Sequence, residues 1–355
     1  MVRSAIYLIA IAIVANPTIF ANPVYQKGMS YTPWGKNVLY RPESAESIRT
    51  MQKDGVNWVA LNVFWFQDTV NSAVITEDFT RYSASKPSLI QAIQDIHSAG
   101  MKVMLKPMVD VRTGDWRGEI VPSPEWFDAY ESFVADWAAF AAQNHADMFC
   151  VGCEYINATQ SRRWEPYWRR IIAHVRTAFP GPLTYADNHD NEQNTPWWDA
   201  VDYIGIDAYY VLTQKLNPTA TDLKAAWKAR ADRIELWRNR NWPQMPIIFT
   251  EIGYRSYDGA NIAPWDYQKN DPDKVDLQEQ VDCYTAALET LTQRDWFYGF
   301  YWWAWETDPN AGGAKDSGYT VQNKPAETVL KDWYLHRLVR GRFTPAGVGG
   351  FEWYR

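Results

Sequence analysis

Eight short runs of apolar, β-branched or aromatic residues recur along this chain, and segments with the spaced apolar faces of helices separate them. Strands that alternate with helices predict a parallel sheet. Eight repeats of that unit predict an α/β protein with a closed (β/α)₈ TIM barrel, formed by a single domain over residues 22–355. The predicted strands are Gly28–Thr32, Trp58–Phe64, Lys102–Val109, Met148–Glu154, Leu183–Ala186, Tyr203–Asp207, Pro246–Glu251 and Gly299–Trp303.

The segments between these strands have the starts and stops of helices. Gly55 and Gly100 each follow one such segment, where a C-terminal stop is expected. A doubly wound open sheet is the alternative, but it would carry a glycine-rich turn after its first strand, and Gly28-Met-Ser-Tyr-Thr-Pro33 has none. The long stretches Trp65–Pro87 and Arg255–Asp276 are predicted to be loops on the functional face. The predicted helices are Ser44–Lys53, Ser88–Ala99, Ser123–Asn144, Trp164–Phe179, Ala220–Arg240 and Leu277–Thr292.

The chain is unusually rich in aromatic residues. Of its 355 residues, 15% are aromatic, and twenty are tryptophans. These rings either fill the core, since each buries a large area, or pave a surface cleft of the kind that binds sugars. The net charge of −7 and the dispersed basic residues argue against a nucleic-acid partner.

The N-terminus has the features of a secretory signal peptide. Arg3 supplies the positive charge, Ala5 to Val14 the apolar stretch, and Ile19-Phe20-Ala21 a cleavage site, so residues 1–21 are predicted to be removed. An uncleaved membrane anchor is the alternative, although the apolar run is shorter than the roughly 20 residues that a spanning helix needs. We therefore expect a secreted or periplasmic protein with no membrane contact after cleavage. The sequence does not indicate an oligomeric state.

The cysteines and histidines do not predict a metal site, a cofactor or a disulfide framework. Cys150 and Cys153 have the spacing of a CxxC motif, but they lie in a predicted strand, where residues three apart face opposite sides. We interpret them, with Cys283, as small buried packing residues. Five histidines are dispersed, and only His189 falls at a strand end, which argues against a metal-dependent hydrolase.

Two glutamates, Glu154 and Glu251, each end an apolar run. A carboxylate at the exit of a buried strand is poorly placed for stability, because its desolvation is costly. In a (β/α)₈ barrel the active site lies at the carboxyl ends of the strands, and strands four and seven are on opposite sides of that mouth. The sequence thus predicts a catalytic pair of carboxyl groups, the alternative being that each is a structural carboxylate paired with an arginine.

Other polar and aromatic residues fall at or just beyond the strand ends, and we predict that they bind substrate. Lys106 interrupts an apolar strand, so it either contacts substrate or pairs internally with Asp110 or Asp207. Because alternate strand residues face opposite sides, only one of Trp302 and Trp303 can face the cleft, and we favour Trp303. The predicted substrate-binding residues are Trp34, Asn62, Trp65, Lys106, Asn188, Asp207, Tyr209, Tyr254, Trp303 and Trp305.

Five motifs resemble glycoside hydrolase family 113, which is known chiefly for endo-β-1,4-mannanases and belongs to a large clan of retaining barrel glycosidases. The motifs around the two glutamates and strand eight are the specific ones, and the resemblance covers nearly all of the mature chain. The motifs are Gly28-Met-Ser-Tyr, Trp65-Phe-Gln67, Val151-Gly-Cys-Glu154, Phe249-Thr-Glu-Ile-Gly-Tyr254 and Tyr301-Trp-Trp-Ala-Trp305.

The resemblance implies a polysaccharide or oligosaccharide substrate, with Glu154 as acid/base, Glu251 as nucleophile and Tyr209 against the nucleophile. A β-glucanase, xylanase or exo-mannosidase on the same barrel, and a non-catalytic carbohydrate-binding barrel, are the alternatives. Many members of the clan have Asn immediately before the acid/base, where it contacts the sugar 2-hydroxyl, whereas this chain has Cys153. That contact would have to come from Asn188 or Asn62.

Overall fold

Eight parallel strands form a closed barrel in chain order, as the repeat pattern predicts. The computed structural model describes residues 25–267 and 271–338, so the predicted signal peptide lies outside the described residues. The strands are β1 (Gln26–Tyr31), β2 (Trp58–Gln67), β3 (Lys102–Val111), β4 (Met148–Cys153), β5 (Leu183–Asn188), β6 (Tyr203–Asp207), β7 (Ile247–Ile252) and β8 (Phe297–Trp305).

Helices surround the barrel, and local sequence explains where several of them begin. The side chains of Ser85 and Ser123 accept hydrogen bonds from backbone N–H groups in the first turns of the helices that follow them, and a proline lies within the first two positions of each helix. Thr219 and Asp222 form a capping box at the start of another helix. The helices are α1 (Pro42–Lys53), α2 (Lys86–Ser98), α3 (Pro124–Gln143), α4 (Ile156–Thr159), α5 (Glu165–Ala178), α6 (Ala220–Asn241), α7 (Leu277–Leu291) and α8 (Pro325–Asp332).

The apolar side chains separate into two clusters. The smaller fills the barrel and includes Ala60, Met104 and Tyr301. The larger lies between the strands and the helices, and it holds the fully buried rings of Trp126, Trp137, Trp168, Trp197, Trp198 and Trp227. Core filling therefore accounts for many of the tryptophans, because large buried rings supply much of the apolar area that stabilises a barrel of this size.

Register shifts near the carboxyl ends interrupt strict alternation in three strands. One separates Cys150 from Cys153 on β4, so both sulfur-bearing residues lie in the cluster inside the barrel. The expectation that they face opposite sides was wrong, because a bulge adds a residue on one strand of the pair. Similar shifts occur on β7 beside β6 and on β8 beside β1.

The connection from β5 to β6 contains no α-helix in the described chain, where an ideal (β/α)₈ barrel would have one. A single 3₁₀ turn, Trp198–Ala200, lies in it instead. None of the described helices has both the length and the apolar character needed to cross a membrane.

Candidate active site

A buried lysine links two carboxylates at the mouth of the barrel. Lys106 Nζ lies 2.5 Å from Glu251 Oε1 and 3.4 Å from each carboxylate oxygen of Asp207. Burial opposes its charge, but the neighbouring acids, Asp207 foremost, raise the pKa of Lys106 well above its ordinary value. Lys106 was expected either to contact substrate or to form an internal ion pair. The structure shows the internal ion pair, in which a protonated Lys106 lies between Asp207 and Glu251.

Glu251 is almost fully buried, and donors contact both of its carboxylate oxygens. Tyr209 donates its hydroxyl to Glu251 Oε2 at 2.8 Å, opposite the contact with Lys106. Burial and the charge of Glu251 raise the pKa of Tyr209, so the phenol remains a donor. An ammonium and a phenol that both donate to one carboxylate stabilise it as an anion. This is the environment that a nucleophilic carboxylate requires.

Asp207 completes the support behind Lys106. Its carboxylate accepts from Thr250 Oγ1 at 2.7 Å and from Cys153 Sγ at 3.3 Å. The bulge on β7 explains the contact between Asp207 and Thr250. It pairs Asp207 with Glu251, so that Thr250 and Glu251, which are consecutive on β7, both reach the same site. Asp207 therefore holds the lysine that contacts Glu251.

Glu154 has different surroundings. Its Oε1 accepts from the Asn188 side-chain amide at 3.0 Å, and its Oε2 lies 3.7 Å from Arg117 Nη1. Burial raises the pKa of Glu154 in spite of Arg117, and the negative charge of Glu251 raises it further. A carboxyl group held in its acid form is what protonation of a leaving group requires.

The backbone of Glu154 is as unusual as its side chain. Its φ is 56°, in the left-handed region that costs a non-glycine residue roughly 1–2 kcal/mol. In an extended strand Glu154 would face away from its neighbour Cys153, but the acceptor atoms of Cys153, Glu154 and Asp207 all lie within 4.8 Å of one another. Such strain at a strand end is typical of functional sites.

These three acceptor atoms could in principle hold a metal ion. Arg117 Nη1, however, lies 3.2 Å from Cys153 Sγ as well as near Glu154, and Lys106 contacts Asp207. Protein cations thus already contact these acceptors, and the Cys153 thiol donates to Asp207, so the donor set does not call for a metal.

Arg117 is the residue at this site that the sequence did not single out. It belongs to a short 3₁₀ turn in the loop after β3, and it pairs with Asp110 at 2.7 Å. Asp110 lies near the end of β3, but no local pattern in the sequence marks an arginine in the following loop as its partner. The pair holds a positive charge beside Glu154.

Aromatic side chains line another side of the mouth. Trp34 is 46% exposed, its ring stacks on Phe64 at 5.7 Å, and it meets Trp303 edge-on at 6.4 Å. Asn62 is buried and donates to Thr32 Oγ1 at 3.0 Å, while its own Oδ1 has no partner in the described chain. The exposed part of Trp34 offers a ring face to a ligand in the cleft, whereas the Oδ1 atom of Asn62 is buried below the surface.

Three of the predicted substrate-binding residues lie elsewhere, and these predictions were wrong. Trp65 packs on Phe133 and Trp137 of α3, because Phe64 and Phe66 take the inward positions of β2. Tyr254 is fully buried among the rings outside the barrel.

Trp305 also faces outwards and donates its indole N–H to Ser47 of α1 at 2.8 Å. The shift between β1 and β8 pairs Met29 with Trp302 and Tyr31 with Trp305, so both tryptophans lie on the helix side. Trp303, between them, packs against the cluster inside the barrel. The bulge thus changed which rings reach the mouth.

A family model and solved structures match most of this chain. The model of glycoside hydrolase family 113 matches residues 29–324. A solved β-1,4-mannanase of that family shares 31% identity, with a TM-score of 0.78, over 88% of this chain and 100% of its own. The family's β-mannanase AaManA from Alicyclobacillus acidocaldarius, solved in complex with ManMIm, shares 29% identity, with a TM-score of 0.77, over 88% of this chain and 97% of its own.

The more distant structural matches show only that the fold is shared. A β-glucuronidase from Ruminococcus gnavus shares 13% identity, with a TM-score of 0.61, over 88% of this chain and 50% of its own. A search of curated proteins gave no match. The family match spans most of the chain and confirms the resemblance carried by the sequence motifs. The chain belongs to glycoside hydrolase family 113 and is a glycosidase.

Proposed function

We propose that this protein is a retaining endo-β-1,4-mannanase in which Glu251 is the nucleophile and Glu154 the acid/base. The observation that carries the proposal is the difference between the two carboxyl groups. Glu251 accepts from Lys106 and Tyr209, which favours the anion, whereas burial raises the pKa of Glu154. A retaining glycosidase needs one carboxylate and one carboxylic acid of this kind.

In this mechanism Glu251 attacks the anomeric carbon and forms a covalent glycosyl–enzyme ester as the glycosidic bond breaks. Glu154 gives its proton to the departing oxygen and becomes a carboxylate. It then takes a proton from water, whose oxygen attacks the anomeric carbon and releases Glu251. The Asn188 amide, which contacts Glu154, can follow this change of charge because it donates to either form.

The choice of mannan is supported by the solved relatives, which are described as β-1,4-mannanases at about 30% identity. The aromatic side of the cleft, with Trp34 and Trp303, suits stacking on the apolar faces of sugar rings. Secretion is part of the same proposal, since a polysaccharide is met outside the cell. Sequencing of the exported protein should then find an N-terminus at residue 22.

The roles of the two glutamates can be separated with two leaving groups. Glu154→Gln should slow hydrolysis of mannohexaose by roughly 10²–10⁴-fold, the usual contribution of general acid–base catalysis. With a dinitrophenyl mannobioside, which needs no protonation to leave, it should still form the glycosyl–enzyme and accumulate it. Glu251→Gln should form no intermediate from either substrate. Glu46→Gln, an exposed carboxylate on α1, is the control.

The product configuration and the substrate panel complete the test. Proton NMR should show the β-anomer first, and mannohexaose should be cut at internal bonds. An α-anomer as first product would contradict the retaining mechanism. Faster cleavage of cellohexaose or xylohexaose would replace mannan by another β-1,4 polymer, and release of single terminal mannose units would make the enzyme exo-acting.

A further inference from the structure

A second concave site lies on the outside of the barrel. It is a cavity of about 460 Å³, within the roughly 300–1,000 Å³ typical of small-molecule sites. Neither catalytic glutamate borders it. Its lining comes from α5 and the turn before it, from the β5–β6 connection and from the end of α6: Arg162, Glu165, Arg169, Gln193, Asn194, Thr195, Pro196, Asp199, Trp237, Asn241 and Trp242.

The architecture explains why there is space here. The β5–β6 connection has only the 3₁₀ turn Trp198–Ala200, so no helix fills the interval between α5 and α6. The rings of Trp197 and Trp198 are fully buried in the apolar cluster between strands and helices, where both contact Tyr185 of β5. The gap is therefore a stable feature of the fold with a packed floor, and its outer side is left concave.

The charges around the cavity cancel one another. Arg169 lies 2.9 Å from Glu165 and 2.9 Å from Asp199, and it also donates to the Pro196 carbonyl. Arg162 is 84% exposed and lies 3.7 Å from Glu165. Two arginines facing two carboxylates leave no uncompensated cation for an anionic ligand, and the compensated groups still present polar edges.

The remaining lining groups suit an uncharged polyhydroxy ligand. Trp237 and Trp242 are partly exposed, so each ring has an accessible portion. Among the described residues no hydrogen bond engages the side chain of the exposed Gln193, and Asn194 and Asn241 supply further amides. Rings that pack on C–H faces, beside amides that can donate to and accept from hydroxyls, are the chemistry by which a neutral sugar is recognised.

We propose that this cavity is a second carbohydrate-binding site, which holds a neutral sugar unit of the polysaccharide apart from the catalytic cleft. The choice of β-mannan as the polymer rests on the proposed function, but the site itself does not. Its effect would be to raise the local concentration of polymer at the enzyme, because a second contact on one chain makes the first effectively intramolecular.

The experiment compares Trp237→Ala/Trp242→Ala with wild type and with Leu236→Ala. Leu236 is 51% exposed on the same helix and does not line the cavity. Retention on insoluble mannan should weaken by about tenfold or more in the double variant and stay unchanged in the control. Hydrolysis of soluble mannohexaose should stay at the wild-type rate, and hydrolysis of insoluble mannan should fall. Thermal unfolding checks the fold of each variant.

Gln193→Ala keeps the test valid if the double variant is destabilised, since Gln193 is exposed and supports no core contact. It should weaken retention less than loss of both rings does. Retention equal to wild type in both variants would overturn the proposal. So would a result in which the variants lose binding to the anionic polymer polygalacturonate but keep binding to neutral polymers, because the cavity would then recognise charge and not a neutral sugar. If wild type hydrolyses xylan or cellulose instead of mannan, the same comparison on that polymer tests the site, so failure of the mannanase proposal remains distinguishable.

Discussion

At the scale of single residues, two glutamates of the same chemistry have different surroundings, and the roles proposed for them rest on that difference. Lys106 is central to this difference, because its ammonium contacts Glu251 and not Glu154. Asp207 behind it bonds to Thr250 and Cys153 and so cannot move away from the lysine without losing those contacts. A chain of buried groups thus holds an ammonium against Glu251.

Lys106→Met tests this chain of contacts. It keeps the length of the side chain but removes the charge that favours an ionised Glu251, so the acidic limb of the kcat/KM profile should move to higher pH and kcat should fall. It also leaves Asp207 buried without its cation, which typically costs about 3–5 kcal/mol of unfolding free energy. Urea unfolding and pH–rate profiles measure the two effects separately.

The double variant Lys106→Met/Asp207→Asn separates catalysis from stability. Removing the charge of Asp207 as well should restore part of the unfolding free energy, because only Glu251 then remains buried without the cation that both acids share, while the altered pH profile should persist. A wild-type pH profile in Lys106→Met would show that Tyr209 alone maintains the ionised nucleophile.

At the scale of secondary-structure elements, the irregular ends of the strands decide which side chains reach the mouth of the barrel. Bulges on β4, β7 and β8 change which residues face inwards, and the left-handed φ of Glu154 follows the first of them. On β2, where pairing with β3 is unbroken, alternation alone places Trp65 outwards. Period-2 reasoning therefore applies along a regular strand and fails at its bulged end.

The two tryptophans of β8 test this distinction. Trp303→Ala should lower kcat/KM for mannohexaose by about tenfold or more with little change in unfolding free energy, because its ring lies at the mouth beside Trp34. Trp305→Ala should cost about 3–5 kcal/mol of unfolding free energy, since it removes a buried ring bonded to Ser47. Equal loss of stability in both variants would contradict the assignment of faces.

At the scale of the whole molecule, buried acids beside the barrel link folding to pH. Glu192 is nearly fully buried, Tyr210 donates to its Oε1 at 3.3 Å, and burial raises its pKa to about 8. Burial likewise raises the pKa of Asp187 to about 7. Both lie in or just after β5, and the proposed mechanism uses neither.

The sign of the pH dependence follows from proton binding. Between the ordinary glutamate pKa of about 4.3 and a value of about 8, the folded state keeps the proton on Glu192 that the unfolded chain has lost. The free energy of unfolding should therefore decrease as the pH rises through this window. Glu192→Gln should flatten the decrease when urea unfolding is measured from pH 4.5 to 8.5. An unchanged slope would mean that Glu192 is ionised in the folded protein.

Much of this protein can be predicted from short-range patterns. The recurrence of strand-like and helix-like segments predicted the (β/α)₈ barrel, because secondary-structure period and chain order are local properties. The two glutamates were found for a related reason, since a charge at the exit of an apolar strand is visible within one run of residues. Their motifs also predicted the family that the comparison confirms.

Tertiary structure decided which side chains contact one another and which side of the strands each side chain lies on. Lys106 meets Asp207 and Glu251, which are 101 and 145 positions away, only because the barrel closes. Arg117 reaches Glu154 from a loop whose path no periodicity describes. By itself, then, the sequence determined the barrel and the two glutamates at its strand ends. Closure, bulges and loop paths determined which charged partners each carboxyl group contacts and which aromatic rings face the cleft, because these depend on contacts between distant segments.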